Sequence, residues 1–95
     1  MKLNMFQSPD EKLRAIGFNK VDDNEYGVHY ERMIAEYGFT QVLSILHKKS
    51  GRHIVQSYDK DLVDSKNIGN TGVGLTYYEM KLAMRKMKEK GWHKP

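Results

Sequence analysis

Two β-rich runs joined by a short polar turn restrict the fold of this chain more than any other feature. The first run is Phe39–Leu46 and the second is His53–Tyr58. The stretch Lys48-Lys49-Ser50-Gly51 between them is typical of a tight turn, because glycine reaches the positive φ that hairpin loops need. The first run has apolar side chains on both of its faces, which predicts partial burial on both sides. We therefore predict a central β-hairpin around which the rest of the chain is arranged.

Capping signals predict one helix near each end of the chain. Ser8-Pro9-Asp10-Glu11 begins a short helix with a capping box, and Gly17 ends it. Thr76-Tyr77-Tyr78-Glu79 repeats the pattern, and the helix that follows runs to about Lys90 and ends at Gly91. An apolar stripe at helical spacing predicts the side of this second helix that faces the core. Its members are Tyr77, Met80, Ala83, Met84 and Met87. The alternative interpretation is an exposed surface of methionine and tyrosine, which would suit protein recognition.

Two further strands are predicted between the first helix and the central hairpin. Phe18 to about Asp22 is the first, followed by an acidic turn over Asp22–Glu25. Tyr26–Met33 alternates well enough to be the second, and Ala35–Gly38 connects it to the hairpin. The predicted fold is therefore α+β: an antiparallel sheet of about four strands, with the C-terminal helix packed across one face and the short N-terminal helix at an edge.

The segment after the hairpin breaks these patterns. Asp59, Asp61 and Asp64 alternate with lysines, and a glycine-rich run follows. We predict a flexible connector over about residues 59–75, since loops of this length are uncommon in compact domains and are often functional or disordered. A length of 95 residues otherwise indicates one domain spanning residues 1–95.

Positive charge is concentrated in two patches. The net charge is +4, and all of it belongs to the segment from Thr76 onward, because basic and acidic residues are equal in number before it. Lysine outnumbers arginine in both patches, so any nucleic-acid binding through them should be directed at the backbone. A solvated surface with no partner is the alternative interpretation. The candidate partner- or nucleic-acid-binding residues are Lys48, Lys49 and Arg52 at the hairpin tip and Lys81, Arg85 and Lys88 on the C-terminal helix, with Lys86 and Lys90 alongside.

Groups suited to catalysis or metal binding are sparse. Cysteine is absent. His47 and His53 lie opposite one another if the hairpin closes around residues 49–51, and such a pair can bind a metal or share proton transfer. No third ligand is apparent nearby, so two exposed polar residues are the favoured interpretation. The three aspartates of the connector lack the glycine and the distal glutamate of a calcium loop. We therefore predict no catalytic residue, no metal and no cofactor.

The glycine run before the C-terminal helix raises the possibility of a phosphate site. Gly69, Gly72 and Gly74 precede a helix N-terminus, which attracts anions. The run has no Gly-Lys-Ser/Thr, and Glu79 places a carboxylate where the anion would sit. A flexible connector is therefore favoured over a phosphate site.

Three stretches of the sequence carry a general resemblance to a known class of proteins, in residue usage and length and not in a specific motif. They are Leu13-Arg14-Ala15-Ile16-Gly17-Phe18, Glu25-Tyr26-Gly27-Val28-His29-Tyr30, and Leu75-Thr76-Tyr77-Tyr78-Glu79 through Lys90-Gly91-Trp92. The chain resembles small accessory proteins of phages and prophages of Gram-positive bacteria. The resemblance implies no catalytic residue, and it implies binding and modulation of a host protein.

The function expected from the sequence is non-enzymatic binding, with a protein as the partner. The alternative is nonspecific nucleic-acid binding through the two basic patches. No run approaches the roughly 18 apolar residues of a membrane span, and the N-terminal stretch MKLNMFQSPDEK lacks the apolar centre of a signal peptide. We therefore expect a cytoplasmic protein, located in the host cytoplasm if it is phage-encoded, that does not act at a membrane.

Overall fold

The computed structural model describes residues 7–66 and 69–93 and confirms the predicted α+β fold. Four strands form one antiparallel sheet in the order β1-β2-β3-β4, so each strand pairs with its neighbour in the chain. The elements are α1 (Pro9–Ala15), β1 (Asn19–Asn24), β2 (Gly27–Ile34), β3 (Phe39–His47), β4 (His53–Asp59), α2 (Lys60–Asp64) and α3 (Tyr77–Glu89).

The central hairpin forms as predicted. Its strands β3 and β4 pair from Gln41 opposite Asp59 to His47 opposite His53. The turn closes where the Lys48 N–H donates to the Arg52 carbonyl at 2.9 Å, and Gly51 takes a φ of +89°. Glycine suits this position because a side chain there would be strained.

Both predicted helix starts and both helix ends are confirmed. The hydroxyls of Ser8 and Thr76 each accept from the backbone N–H three residues on, and the glutamate there returns to the cap N–H. At the ends, the Phe18 N–H donates to the Leu13 carbonyl at 2.9 Å and the Trp92 N–H donates to the Met87 carbonyl at 2.7 Å. A glycine with positive φ precedes each of these aromatic residues. Each chain reversal therefore returns an aromatic side chain to the core.

The core lies between one face of the sheet and the helices α1 and α3. Antiparallel pairing places directly opposed residues on the same face, so the register identifies the inner face. Leu43 and Ile45 of β3 are fully buried there beside the Tyr30 and Val28 to which they pair. The remaining members of the buried cluster are Leu13, Phe18, Leu82, Ala83 and Trp92.

Strand β1 is longer than predicted, and the acidic turn is correspondingly shorter. Asn24 pairs with Gly27, so only two residues form the turn. Asp23 remains in the strand because Lys20 and Lys90 hold its carboxylate at 2.9 Å and 2.8 Å. The prediction of a turn over Asp22–Glu25 was therefore wrong for Asp23 and Asn24, whereas Asp22 lies in the strand that was predicted to reach it.

The predicted connector contains regular structure. The Asp59 carboxylate accepts from the Leu62 N–H at 3.1 Å and begins the short helix α2. Farther on, Gly72 forms an isolated bridge with Tyr58, and the Val73 N–H donates to the Ser57 carbonyl at 3.0 Å. The prediction of a connector without regular structure was wrong for these parts. Asn67 and Ile68 lie outside the described residues, and the mobility of the connector stays a prediction.

Candidate binding surface

Two buried charged residues determine which side of α3 faces the core. Glu79 is buried and its carboxylate lies 2.9 Å from the Arg32 guanidinium on β2. The same guanidinium lies 4.1 Å above the Phe18 ring and donates to the Gln41 side-chain oxygen at 2.7 Å. Glu79 therefore serves both the capping box and an ion pair with the sheet.

Lys86 is the second buried charged residue, and it lies towards the C-terminal end of the inward side of α3. Its side chain is only 4% exposed, and its ammonium lies 3.2 Å from Asp10 and 2.6 Å from Glu89. Asp10 also accepts from the Tyr30 hydroxyl and from Lys20. Burial opposes ionisation of Asp10, but these hydrogen bonds outweigh it and lower the pKa of the carboxyl. Burial and the bond to Asp10 raise the pKa of Tyr30.

The apolar stripe predicted to face the core therefore lies largely in solvent. The buried side of α3 consists of Glu79, Leu82, Ala83 and Lys86. Of the predicted stripe only Ala83 is buried, and Met87 is partly buried against the core. Tyr77 is 80% exposed and Met84 is 55% exposed. The stripe prediction was wrong for Tyr77, Met80 and Met84, because Glu79 and Lys86 find ionic partners inside and the opposite side of the helix faces outward.

The outward side of α3 carries apolar and basic side chains together. Tyr77, Lys81, Met84 and Lys88 recur at intervals of four, three and four residues, which places them along one line of the helix. The Lys81 ammonium lies 5.4 Å from the centre of the Tyr77 ring. Met80 is also exposed beside this line. We call these five residues the α3 outer face.

The six cations predicted as binding residues are all exposed. None of them makes an ion pair within residues 7–66 and 69–93. Lys86 and Lys90, predicted to lie alongside them, are instead held in ion pairs with Asp10 and Asp23. The C-terminal patch is therefore smaller than predicted, and the Arg85 guanidinium donates to the Gln7 carbonyl at 3.4 Å. The six are Lys48, Lys49, Arg52, Lys81, Arg85 and Lys88.

The hairpin tip and the end of α3 adjoin one another. A shallow depression is lined by Arg52 and His53 of the hairpin and by Met87, Trp92 and His93 of the C-terminal segment. A neighbouring depression is lined by Met84, Met87, Lys88 and His93. The surface of the tip therefore continues into the α3 outer face, which the sequence did not reveal.

His47 and His53 face each other across the hairpin, as closure around residues 49–51 requires. Their Nδ1 atoms are 3.4 Å apart, and both side chains are partly buried rather than exposed. The ring of Trp92 stacks on His47 with centroids 5.2 Å apart. A glycine that ends a helix commonly lets the following residues fold back on it, as Trp92 does, but no local sequence pattern indicates that the Trp92 ring stacks on His47.

The other candidate sites have structural roles. Asp59 caps α2, Asp64 pairs with Lys60 at 3.0 Å, and the described residues contain no group of three or more metal-ligating side chains. At the α3 N-terminus, the Glu79 carboxylate closes the capping box, which agrees with the interpretation that disfavoured a phosphate site.

Comparison with protein-family models, with curated proteins and with solved structures found no significant match. In the part of the chain that the structure describes, none of the helices has the length and apolar character needed to cross a membrane. The functional argument therefore rests on the surfaces described above.

Proposed function

We propose that this protein is a small non-enzymatic binding protein, that its partner is a protein with an acidic surface, and that the α3 outer face makes the contact. The observation that carries the proposal is the exposure of Tyr77, Met80 and Met84 on a helix whose inward side is occupied by buried ion pairs. These side chains cannot turn inward without separating those pairs.

The chemistry of the α3 outer face suits protein recognition. Tyrosine and methionine are enriched at protein interfaces, and tyrosine is among the residues that most often dominate binding energy. The face is also rigid, because the helix is capped at both ends and fixed to the sheet through Glu79 and to α1 through Lys86. A rigid surface loses little conformational entropy when it binds.

The charges on the same face specify the kind of partner. Lys81 and Lys88 flank Met84 along the line of the helix and make no ion pair within the described chain. Charges of this kind favour an acidic partner and increase its association rate more than its affinity. The resemblance to phage accessory proteins adds that the partner is a host protein, modulated by binding, in the host cytoplasm.

A pair of matched double variants tests the surface. Tyr77→Ser with Met84→Ser removes two exposed apolar side chains from the α3 outer face. Met33→Ser with Tyr37→Ser is the control, because Met33 and Tyr37 are 64% and 75% exposed but belong to β2 and the turn after it. Proteins captured from bacterial cytoplasm by the tagged parent are quantified for each variant after nuclease treatment.

We expect an acidic protein that the parent and the control variant capture equally and that the Tyr77/Met84 variant loses. Its purified form should bind the parent directly, and added salt should slow the association. A captured protein that both variants retain, or that is lost equally from both, would contradict the proposal.

Nucleic-acid binding is the second candidate. It is favoured by Lys48, Lys49 and Arg52 at the hairpin tip, which are exposed, make no ion pair within residues 7–66 and 69–93, and adjoin the end of α3. Trp92 is only 7% exposed, so it offers no ring on which a base can stack. The three cations of the tip would contact phosphates, and salt-dependent retention on immobilised DNA or RNA would support this candidate.

A further inference from the structure

We propose that His47 and His53 form a bidentate site for a divalent transition-metal ion such as Zn²⁺ or Cu²⁺. The two residues are directly opposed where β3 and β4 reach the hairpin turn. This site is separate from the α3 outer face and does not depend on the function proposed for it.

The distance between the two imidazoles is that of a long hydrogen bond, and it also matches the separation of two ligands on one metal ion. Their Nδ1 atoms are 3.4 Å apart. Hydrogen bonds donated by N–H groups are commonly about 2.7–3.2 Å long. Two nitrogens that each lie about 2.0–2.1 Å from one tetrahedral metal ion are roughly 3.4 Å from each other. The ring centroids are 4.9 Å apart with the planes inclined by 39°, so the two nitrogens approach one another without the rings stacking.

The surroundings of the pair hold this geometry before a metal binds. The ring of Trp92 lies almost parallel to the His47 ring, at 12°, and is itself fixed by its backbone bond to Met87 at 2.7 Å. The hairpin turn fixes the backbone next to the pair, because the Lys48 N–H donates to the Arg52 carbonyl at 2.9 Å. Both histidines are partly buried, so metal binding would cost little side-chain conformational entropy.

The site leaves coordination positions open. The described residues supply no third ligand in a cluster with the pair. Each histidine borders a surface depression, which admits water or a donor group from a bound molecule. The nearby Lys49 and Arg52 oppose a cation, although both are exposed and therefore screened by solvent. Borderline transition metals suit neutral imidazole, which is why we infer this class of ion and not Ca²⁺ or Mg²⁺.

Trp92 provides a direct readout because it is the only tryptophan and stacks on a proposed ligand. The folded protein is titrated with Cu²⁺ alone, the ion expected to bind such a site most tightly in the divalent series, and quenching of Trp92 fluorescence is followed. We expect saturation at one equivalent, and we expect a large excess of Zn²⁺ to reverse the quenching by competition.

Four single variants locate the ligands. His47→Gln and His53→Gln should each weaken binding by roughly 100-fold, because the remaining imidazole loses the advantage of a linked second ligand. His29→Gln and His93→Gln are the controls. His29 bonds to Ser44 at 2.8 Å on the opposite face of the sheet, and His93 borders the same depression as His53. Neither control should change the affinity more than about twofold.

A second measurement does not depend on the variants remaining folded. In the parent protein, the imidazole NMR signals of His47 and His53 should shift together as Zn²⁺ reaches one equivalent, while those of His29 should not. Unchanged Cu²⁺ affinity in His47→Gln or His53→Gln would overturn the proposal. So would Zn²⁺ shifts confined to His29 or His93, or no saturable binding below about millimolar metal.

Discussion

At the scale of single residues, the partners of buried charges decide which side of α3 faces inward. Glu79 and Lys86 find Arg32 and Asp10, both of which lie far away in the sequence. Helical periodicity describes only the helix itself, so a side that contains Met80 and Met84 was as plausible an inward side as the one that contains Leu82. The burial of two charged residues was therefore outside what the local pattern could predict.

Replacement of Lys86 tests this account. Lys86→Met should destabilise the fold by about 3 kcal/mol, because it leaves the partly buried Asp10 with fewer of its compensating contacts. Lys88→Met is the matched control, since Lys88 lies on the same helix, is exposed, and should change stability by less than about 0.5 kcal/mol. Urea unfolding midpoints measure both. Equal midpoints for the two variants would contradict the inward orientation of Lys86.

The ion pairs of Asp23 predict how stability changes in acid. Hydrogen bonds from Lys90 and Lys20 lower the pKa of Asp23 to about 2. Because this pKa is lower in the folded state, the stabilisation is complete above the ordinary carboxyl pKa of about 3.9 and is lost as the pH falls towards about 2. Asp23→Asn should therefore flatten the decline of the urea midpoint between about pH 5 and pH 2. Asp61→Asn, at an exposed position on α2, should leave the decline unchanged.

At the scale of elements, the ends of helices were the most predictable features. Capping boxes and terminal glycines act within a few residues, so Ser8, Gly17, Thr76 and Gly91 marked both helices from the sequence alone. The extent of β1 was less predictable because Asp23 stays in the strand through Lys90, at the far end of the chain. The helix α2 has five residues and too little periodicity to be recognised.

The cap of α3 is tested by two substitutions at one position. Thr76→Ala should destabilise by about 1 kcal/mol, because the Glu79 N–H loses the hydroxyl that accepts it at 3.1 Å. Thr76→Ser keeps the hydroxyl and should remain close to the parent. Urea unfolding separates the two variants, and an Ala variant as stable as the Ser variant would show that the cap contributes nothing.

The connector after β4 should show uneven amide exchange. Residues 60–66 and 69–74 should exchange faster than β3, because α2 is short, has no buried residue, and is marginal as an isolated helix. The Val73 amide is the expected exception, since it donates to the Ser57 carbonyl, and it should exchange more slowly than that of Gly74. NMR exchange rates measure this order. Protection across the segment equal to that of β3 would contradict the flexible connector.

At the scale of the whole molecule, the order of the strands could be predicted from the sequence. The contact between the surface of the hairpin tip and that of α3 could not. Short turns between successive strands favour an antiparallel meander, which the structure shows. The exposure of Lys81, Arg85 and Lys88 also agrees with the basic face expected from the sequence. The hairpin tip borders the end of α3 because of the way the helix crosses the sheet. No local sequence pattern contains that information.

Charge reversal of the α3 cations distinguishes the two proposed functions. A triple change of Lys81, Arg85 and Lys88 to Glu should leave the fold intact, because all three are exposed and none makes an ion pair within the described chain. We expect the parent to bind DNA or RNA only in the nonspecific range, no tighter than roughly 10⁻⁴ to 10⁻⁶ M.

The salt dependence of that binding supplies the quantitative test. Each phosphate contact that is lost should lower the slope of log affinity against log salt by roughly one unit, whatever the nucleotide sequence. The control is a triple change to Glu with the same change in net charge but at other positions, namely Lys12, Arg14 and Lys66.

If the α3 cations contact phosphates, the salt slope of their variant should fall further than that of the control. If a protein is the partner, both variants should affect nucleic-acid binding equally, and only the α3 variant should slow association with that protein, because exposed charges at an interface act mainly on the encounter rate. A tight, sequence-selective complex of the parent with DNA or RNA would reverse the order of the two functions.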